Sequence, residues 1–311
     1  MAWKNETLVT EFILLGLSSN ARTQIVLFVV FLLIYLVILI GNFLIIIVSI
    51  SDKNLQTPMY FFLTNLSFLD ICYSSSIVPR MLRDLLSLKK IISFQECAAQ
   101  MYISLSLGET ECILLAIMAY DRYAAICYPL HYTTIINRSV CIKIASGTWI
   151  CGFLLSISHV ALTLNVKMCG ENKIKHFLCE VPGVLALGCG DVSVIESVIF
   201  LVGVVILMIP VTFIIISYII IVSAILKISS TDGKQKALST CGSHMMVVTL
   251  FYGTAMAIYM KPRTSSSPDA DMMIAVFYTI ITPMLNPLIY TLRNKEVKTA
   301  LKRVRIKEIV F

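Results

Sequence analysis

Hydrophobic residues in this chain fall into long unbroken runs, and polar residues into short clusters between them. Seven runs approach or exceed the ~20 residues that cross a bilayer as a helix: residues 25–50, 58–80, 97–122, 140–164, 195–226, 237–260 and 272–290. The pattern predicts an all-α membrane protein, a bundle of seven transmembrane helices. An odd number of crossings places the two termini on opposite sides. The second run opens at Pro58, a residue suited to a helix's first turn. Pro79, Pro210, Pro283 and Pro287 fall inside spans, where neighbouring helices satisfy the carbonyls that proline frees. The first run is too long for a signal-peptide core and is expected to be an uncleaved span.

After Tyr290, Val297, Ala300, Leu301 and Val304 recur at helical spacing, with Lys295, Lys298, Lys302 and Arg303 around them. Such a segment is expected to form a short amphipathic helix lying on an anionic inner leaflet. The expected organisation is an extracellular N-terminus at 1–24, the seven-transmembrane domain at 25–290, and a cytoplasmic tail with its amphipathic helix at 291–311. No internal repeat pairs the two halves, which weighs against most transporter architectures. The longest stretch outside the membrane, about 165–194, carries cysteines at 169, 179 and 189 and reads as a pinned loop.

Composition agrees with the pattern. Hydrophobic residues make up 58% of the chain and charged ones 14%, against roughly 25% charged in a soluble domain. Net charge is +7, but seven of the 25 Lys and Arg lie after Tyr290. The others punctuate apolar runs, a distribution that does not build a nucleic-acid-binding face.

Charge alone does not orient the bundle. With the N-terminus outside, 14 Lys and Arg fall on the cytoplasmic side and 11 on the other, but without the tail the loops favour the wrong side. Two other features decide. Asn5-Glu6-Thr7 is a glycosylation acceptor in a polar terminus, and Cys97, Cys169, Cys179 and Cys189 share its side, where disulfides form. Four such cysteines allow three pairings. The sequons at Asn65 and Asn137 fall in a span and on the cytosolic side, and are expected to be unused.

Enzymatic chemistry lacks a constellation. His131, His159, His176 and His244 are scattered in depth, and no metal-spaced Cys/His set or nucleophile elbow occurs. A channel or transporter would be expected to show charge rings or broken helix pairs, whereas the carboxylates within the spans occur singly.

Residues 118–132 read MAYDRYAAICYPLHY, an apolar helix that ends abruptly in a carboxylate and a guanidinium. This stretch closely resembles the end of the third helix of olfactory receptors, within the rhodopsin-like G-protein-coupled receptors. The resemblance continues through Gly41-Asn42, LQTPMYFFLTNLSFLD at 55–70, Ser217-Tyr218, KALSTCGSH at 236–244, Phe251-Tyr252-Gly253 and PMLNPLIYTLRNKEV at 283–297. It covers nearly the whole chain and favours the tetrapod-type class. Gln56, Ala124 and Leu238 depart from the usual pattern.

The resemblance implies an odorant receptor: a small volatile, mostly apolar ligand binds within the bundle, and a stimulatory olfactory-type G protein raises cyclic AMP. The alternative is a chemoreceptor of the same fold that senses a non-odorant metabolite outside the nose. Trafficking chaperones and membrane lipids are the other implied partners, and the implied location is the plasma membrane of olfactory cilia. Disulfides Cys97–Cys179 and Cys169–Cys189 are implied.

Pocket-facing positions would be Ser104, Leu105, Gly108 and Glu109 in the third helix, and Val202, Gly203 and Ile206 in the fifth. Tyr252, Ala255 and Tyr259 would follow in the sixth, and Thr279 in the seventh. Glu109 could select an amine or hydroxyl ligand, or bond His159 or a neighbouring hydroxyl. Asp70, Glu111, Asn42 and Asn286 would form a polar cluster able to hold a sodium ion; no other cofactor is implied. The alternative there is a carboxyl–carboxylate hydrogen bond between helices.

Arg122 is the expected switch, paired with Asp121 in the Asp121-Arg122-Tyr123 triplet and able to reach Tyr218 and Tyr290 when released. Asn286-Pro287 and Tyr290 end a kinked seventh helix. The sixth helix begins with Lys234 and Lys236 rather than an acid, so the resting lock is expected to lie elsewhere, involving His244.

Overall fold

The computed structural model describes residues 9–169, 171–189, 192–260, 268–293 and 295–310, without the side chains of 268, 292, 293, 295 and 304–310. Asn5 and the side chains of Lys295 and Val304 lie outside the described residues. Seven helices are long and apolar enough to cross a membrane. They are α1 (Ala21–Ser51), α2 (Pro58–Leu86), α3 (Phe94–Cys127), α4 (Arg138–Leu164), α5 (Ser193–Leu226) and α6 (Thr231–Tyr259). The seventh, α7, comprises Pro268–Val276, a π-helical turn at Phe277–Ile281, and Thr282–Arg293. A further helix, α8 (Lys295–Val310), follows. The chain is a multi-pass membrane protein.

Polar side chains cap the starts of α1, α3, α4 and α6 and carry those helices beyond their apolar stretches. The Asn20 side chain accepts from the amides of Arg22 and Thr23 at the start of α1. Ser93 and Glu96 form a reciprocal capping box on α3. Asn137 caps Val140 at the start of α4, which puts the sequon's asparagine to structural use. The Asn65 carbonyl accepts from Trp149 Nε1 across α2 and α4. With 34 residues, α3 extends about 51 Å at 1.5 Å per residue, well beyond a hydrocarbon core of about 30 Å.

Burial inverts the order of hydrophobicity. The two most apolar spans, α1 and α5, are the least buried within the bundle, whereas α3 is the most buried. Lipid takes the place of protein around α1 and α5. Helix α3 packs against α2, α4, α5 and α6 and forms the hub. Helices α1 and α7 approach so closely that a Cβ on Gly41 would lie 3.0 Å from the Pro287 ring.

At one end of the bundle, the connections form a small sheet. Strand β1 (Glu11–Leu14) pairs antiparallel with β2 (Ile91–Ser93), in register Glu11 with Ser93, and parallel with β3 (Lys173–Ile174). Phe12, Leu14, Ile92 and Ile174 are buried beneath it. Cys97 is bonded to Cys179, and Cys169 to Cys189, so the 165–194 connection is anchored to the top of α3 and closed on itself. The opposite end carries Arg122 and α8. There Val297 and Ala300 are buried and Leu301 packs against the core, while Lys298, Lys302 and Arg303 are exposed.

Candidate functional site

A cavity of about 780 Å³ opens beneath the disulfide-bonded connection. Nine residues expected to face a pocket line it: Ser104, Leu105, Gly108, Glu109, Gly203, Ile206, Ala255, Tyr259 and Thr279. Val202 and Tyr252 are absent from its lining, and the expectation for them is corrected. Gly203 and Ile206 put one stripe of α5 on the cavity, and Val202 lies about 100° round from Gly203 at 3.6 residues per turn. The Tyr252 ring is buried in packing, and its hydroxyl donates to the Cys112 carbonyl of α3 at 2.8 Å. Its neighbour Phe251, edge-on to that ring, lines the wall instead.

The sequence marked the 165–194 loop as pinned but singled out none of its residues as part of the cavity's roof. Glu180, Val181, Pro182 and Leu185 cover the cavity from the short helix Val181–Leu185 and the residue before it. Glu180 follows Cys179, so the disulfide to Cys97 delivers its carboxylate to the top of α3; the pairing was the signal that could have found it. One Glu180 oxygen accepts from the Tyr278 hydroxyl at 2.7 Å, and the other lies 3.2 Å from His176 Nε2. Tyr278 and Thr279 are consecutive, yet both line the cavity. They sit in the π-helical turn Phe277–Ile281.

Deeper on the wall, Glu109 and His159 are both buried, with Oε1 3.2 Å from Nδ1. This is the His159 pairing weighed from the sequence. The second Glu109 oxygen has no hydrogen-bond partner in the protein.

Below the cavity, both carboxylate oxygens of Asp70 accept from Asn286 Nδ2, at 3.1 and 3.0 Å. Asn42 Nδ2 donates to the carbonyls of Ile38 and Pro283, and Glu111 lies within Coulombic reach of Asp70. Three buried oxygens here lack partners: Asn42 Oδ1, Glu111 Oε1 and Asn286 Oδ1. An oxygen-only donor set with two carboxylates fits a hard cation. Among the described residues, no group of three or more His, Cys, Asp and Glu side chains is placed to hold a metal ion.

At the far end, an Arg122 guanidinium nitrogen lies 3.8 Å from Asp121 Oδ2, with both side chains buried. Asp121 Oδ1 accepts from the Tyr132 hydroxyl at 2.7 Å. Tyr123 is half-buried and packs edge-on against Tyr128. Tyr218 Oη and His244 Nδ1 are 2.8 Å apart with stacked rings, and His244 Nε2 lies 3.2 Å from the Leu115 carbonyl of α3. His244 thus links α6 to α5 and α3 rather than to Arg122 directly. Tyr290 is buried with its hydroxyl unpartnered, and the Arg122 charge reaches Tyr218, His244 and Tyr290. Lys236 pairs instead with Glu296 of α8 at 2.6 Å, a partner that sequence reasoning did not supply.

A family model described as "Olfactory receptor" matches residues 31–308. The chain is 49% identical to olfactory receptor 2B2 of Homo sapiens over 310 residues, covering 100% of this chain and 87% of the relative. It is 51% identical to olfactory receptor 2B6 of Mus musculus over 304 residues, with 98% and 97% covered. Identity to olfactory receptor 2G3 of Homo sapiens is 50% over 304 residues, with 98% of each chain covered.

Proposed function

The chain belongs to the olfactory receptor family of rhodopsin-like G-protein-coupled receptors, and on that footing we propose how it works. A small volatile, mostly apolar ligand enters the 780 Å³ cavity beneath the disulfide-bonded connection. The observation that carries this reading is the cavity itself: concave, largely apolar, roofed by a pinned segment and bearing few polar groups. The roof is held before any ligand arrives, so less conformational entropy is lost on binding.

The cavity end faces the exterior and the Arg122 end the cytosol, in the plasma membrane of olfactory cilia, with Asn5 glycosylated. Ligand binding stabilises an arrangement already present at low population. Tyr218, His244 and Tyr290 lie within electrostatic reach of Arg122, and their rearrangement frees its guanidinium to meet a stimulatory olfactory-type G protein. Arginine suits the role because it stays charged and presents its donors in a fixed fork. Cyclic AMP rises. A sodium ion held by Asp70, Glu111, Asn42 and Asn286 stabilises the resting arrangement, and α8 rests its basic face on the inner leaflet. Trafficking chaperones assist delivery to the surface.

The test is a cyclic-AMP response to a broad odorant panel in cells co-expressing an olfactory G protein, with surface staining. The expected result is a response that Arg122→Ala abolishes at matched surface display. Silence across the panel at good display would overturn the odorant assignment and favour a non-odorant metabolite.

A further inference from the structure

We infer that the cavity's ligand is a small aliphatic amine whose ammonium group binds the carboxylate of Glu109. The inference rests on the cavity being the ligand site and names the ligand class. Among the described residues three carboxylates line the cavity, Glu109, Glu180 and Glu196, and neither Lys nor Arg does. Such a wall attracts a cation and repels a carboxylic acid.

Glu109 is the anchor. Its side chain is 5% exposed and one oxygen faces His159, but Oε2 is buried without a partner. An ionised carboxylate accepts at both oxygens, and a buried acceptor left without a partner is costly. A ligand ammonium supplies the missing donor in a charge-assisted hydrogen bond. Glu180 is less available, since its oxygens already face Tyr278 and His176.

Space lies beside the anchor. Gly108 precedes Glu109 on the lining, and a Cβ there would meet nothing within 4 Å; the same holds for Gly203 on α5. Leu105, Ile206, Leu207, Phe251 and Ile258 supply apolar wall for a hydrocarbon tail. Tyr259 lies within electrostatic reach of both Glu109 and Glu180, so a cation near its hydroxyl would feel two acids.

The test uses the purified full-length receptor in lipid nanodiscs without G protein, near neutral pH. Thermal stabilisation is measured with n-alkylamines from butyl to decyl, and with the alcohols and carboxylic acids of the same lengths. Stabilisation by amines, weaker by alcohols and absent for acids, is the expected result. Glu109→Gln should weaken the best amine by about 10- to 100-fold, and Glu109→Asp should keep the amine preference. Should either variant fail to fold, the wild-type ranking decides alone. Alcohols or acids that stabilise as well as amines, or no stabilisation by any amine, would overturn the inference. So would a folded Glu109→Gln receptor with unchanged amine affinity. Because no G protein is present, a failure of cyclic-AMP signalling would leave this result standing.

Discussion

Lys236 of α6 lies 2.6 Å from one carboxylate oxygen of Glu296 on α8, and the Tyr60 hydroxyl of α2 meets the other at 2.9 Å. A basic start to α6 therefore does have a restraint, supplied by α8. Burial alone would raise the Glu296 pKa, but the hydrogen bonds from Lys236 and Tyr60 outweigh it and hold the carboxyl below its usual value. A depressed carboxylate pKa adds stability that is present above the ordinary carboxylate range and lost as pH falls through it. Near neutral pH the contribution is complete.

If α6 moves during activation, Lys236→Ala should raise basal cyclic AMP. The pair is half-exposed, and such pairs are worth about 0.2–1 kcal/mol, so the basal rise should reach at most about 5-fold. Glu296→Gln should behave alike. Unchanged basal signalling in both variants at matched surface display would show that the contact does not restrain α6.

Gly152 tests the α3–α4 packing. A Cβ there would lie 2.9 Å from two backbone atoms, Ser106 O and Thr110 N, and would collide with the Thr110 hydroxyl. Gly152→Ala should destabilise by about 1–3 kcal/mol, lowering both melting temperature and surface display. Gly147 on the same helix meets nothing within 4 Å, so Gly147→Ala should be neutral or stabilising. Similar losses for both would mean that the helices can part to admit a methyl group.

The two disulfides should differ in weight. Cys97–Cys179 spans 82 residues and Cys169–Cys189 spans 20. Loop-closure entropy assigns them roughly 4.5 and 3 kcal/mol. Melting temperatures of the two double-serine variants should follow that order. The Cys97/Cys179 variant should also lose ligand response, because Glu180 and the roof hang from that bond. A reversed order would mean that native contacts outweigh loop closure.

Asp70 carries the sodium prediction. Replacing sodium chloride with choline chloride should lower the melting temperature of the wild-type receptor. Asp70→Asn, which keeps the shape but removes the carboxylate, should be indifferent to the exchange. A receptor whose stability ignores sodium before and after the substitution would leave the cluster as interhelical hydrogen bonding only.

The sequence by itself determined the number, order and approximate limits of the membrane helices. A lipid core demands unbroken apolar runs of about 20 residues, and residues 25–50 or 195–226 permit little else. It also marked Asp121-Arg122 and the Asp70–Asn286 cluster through the motif stretches they occupy, and nine of the cavity residues through helical spacing and the resemblance to the family's pocket-facing positions.

What it left open is which face of each helix looks inward. In water, polar residues label the outer face; in lipid, α1 and α5 are apolar all round, so periodicity cannot separate Gly203, on the cavity, from Val202, off it. Nor could residues 11–14, 91–93 and 173–174 announce a sheet, since each is too short to show alternation and finds its partner from far along the chain. The π-helical turn that presents both Tyr278 and Thr279, the arrival of Glu180 through its neighbour's disulfide, and the pairing of Lys236 with Glu296 were decided by the tertiary structure alone. Each depends on where separate helices meet, and that is set by packing rather than by local sequence.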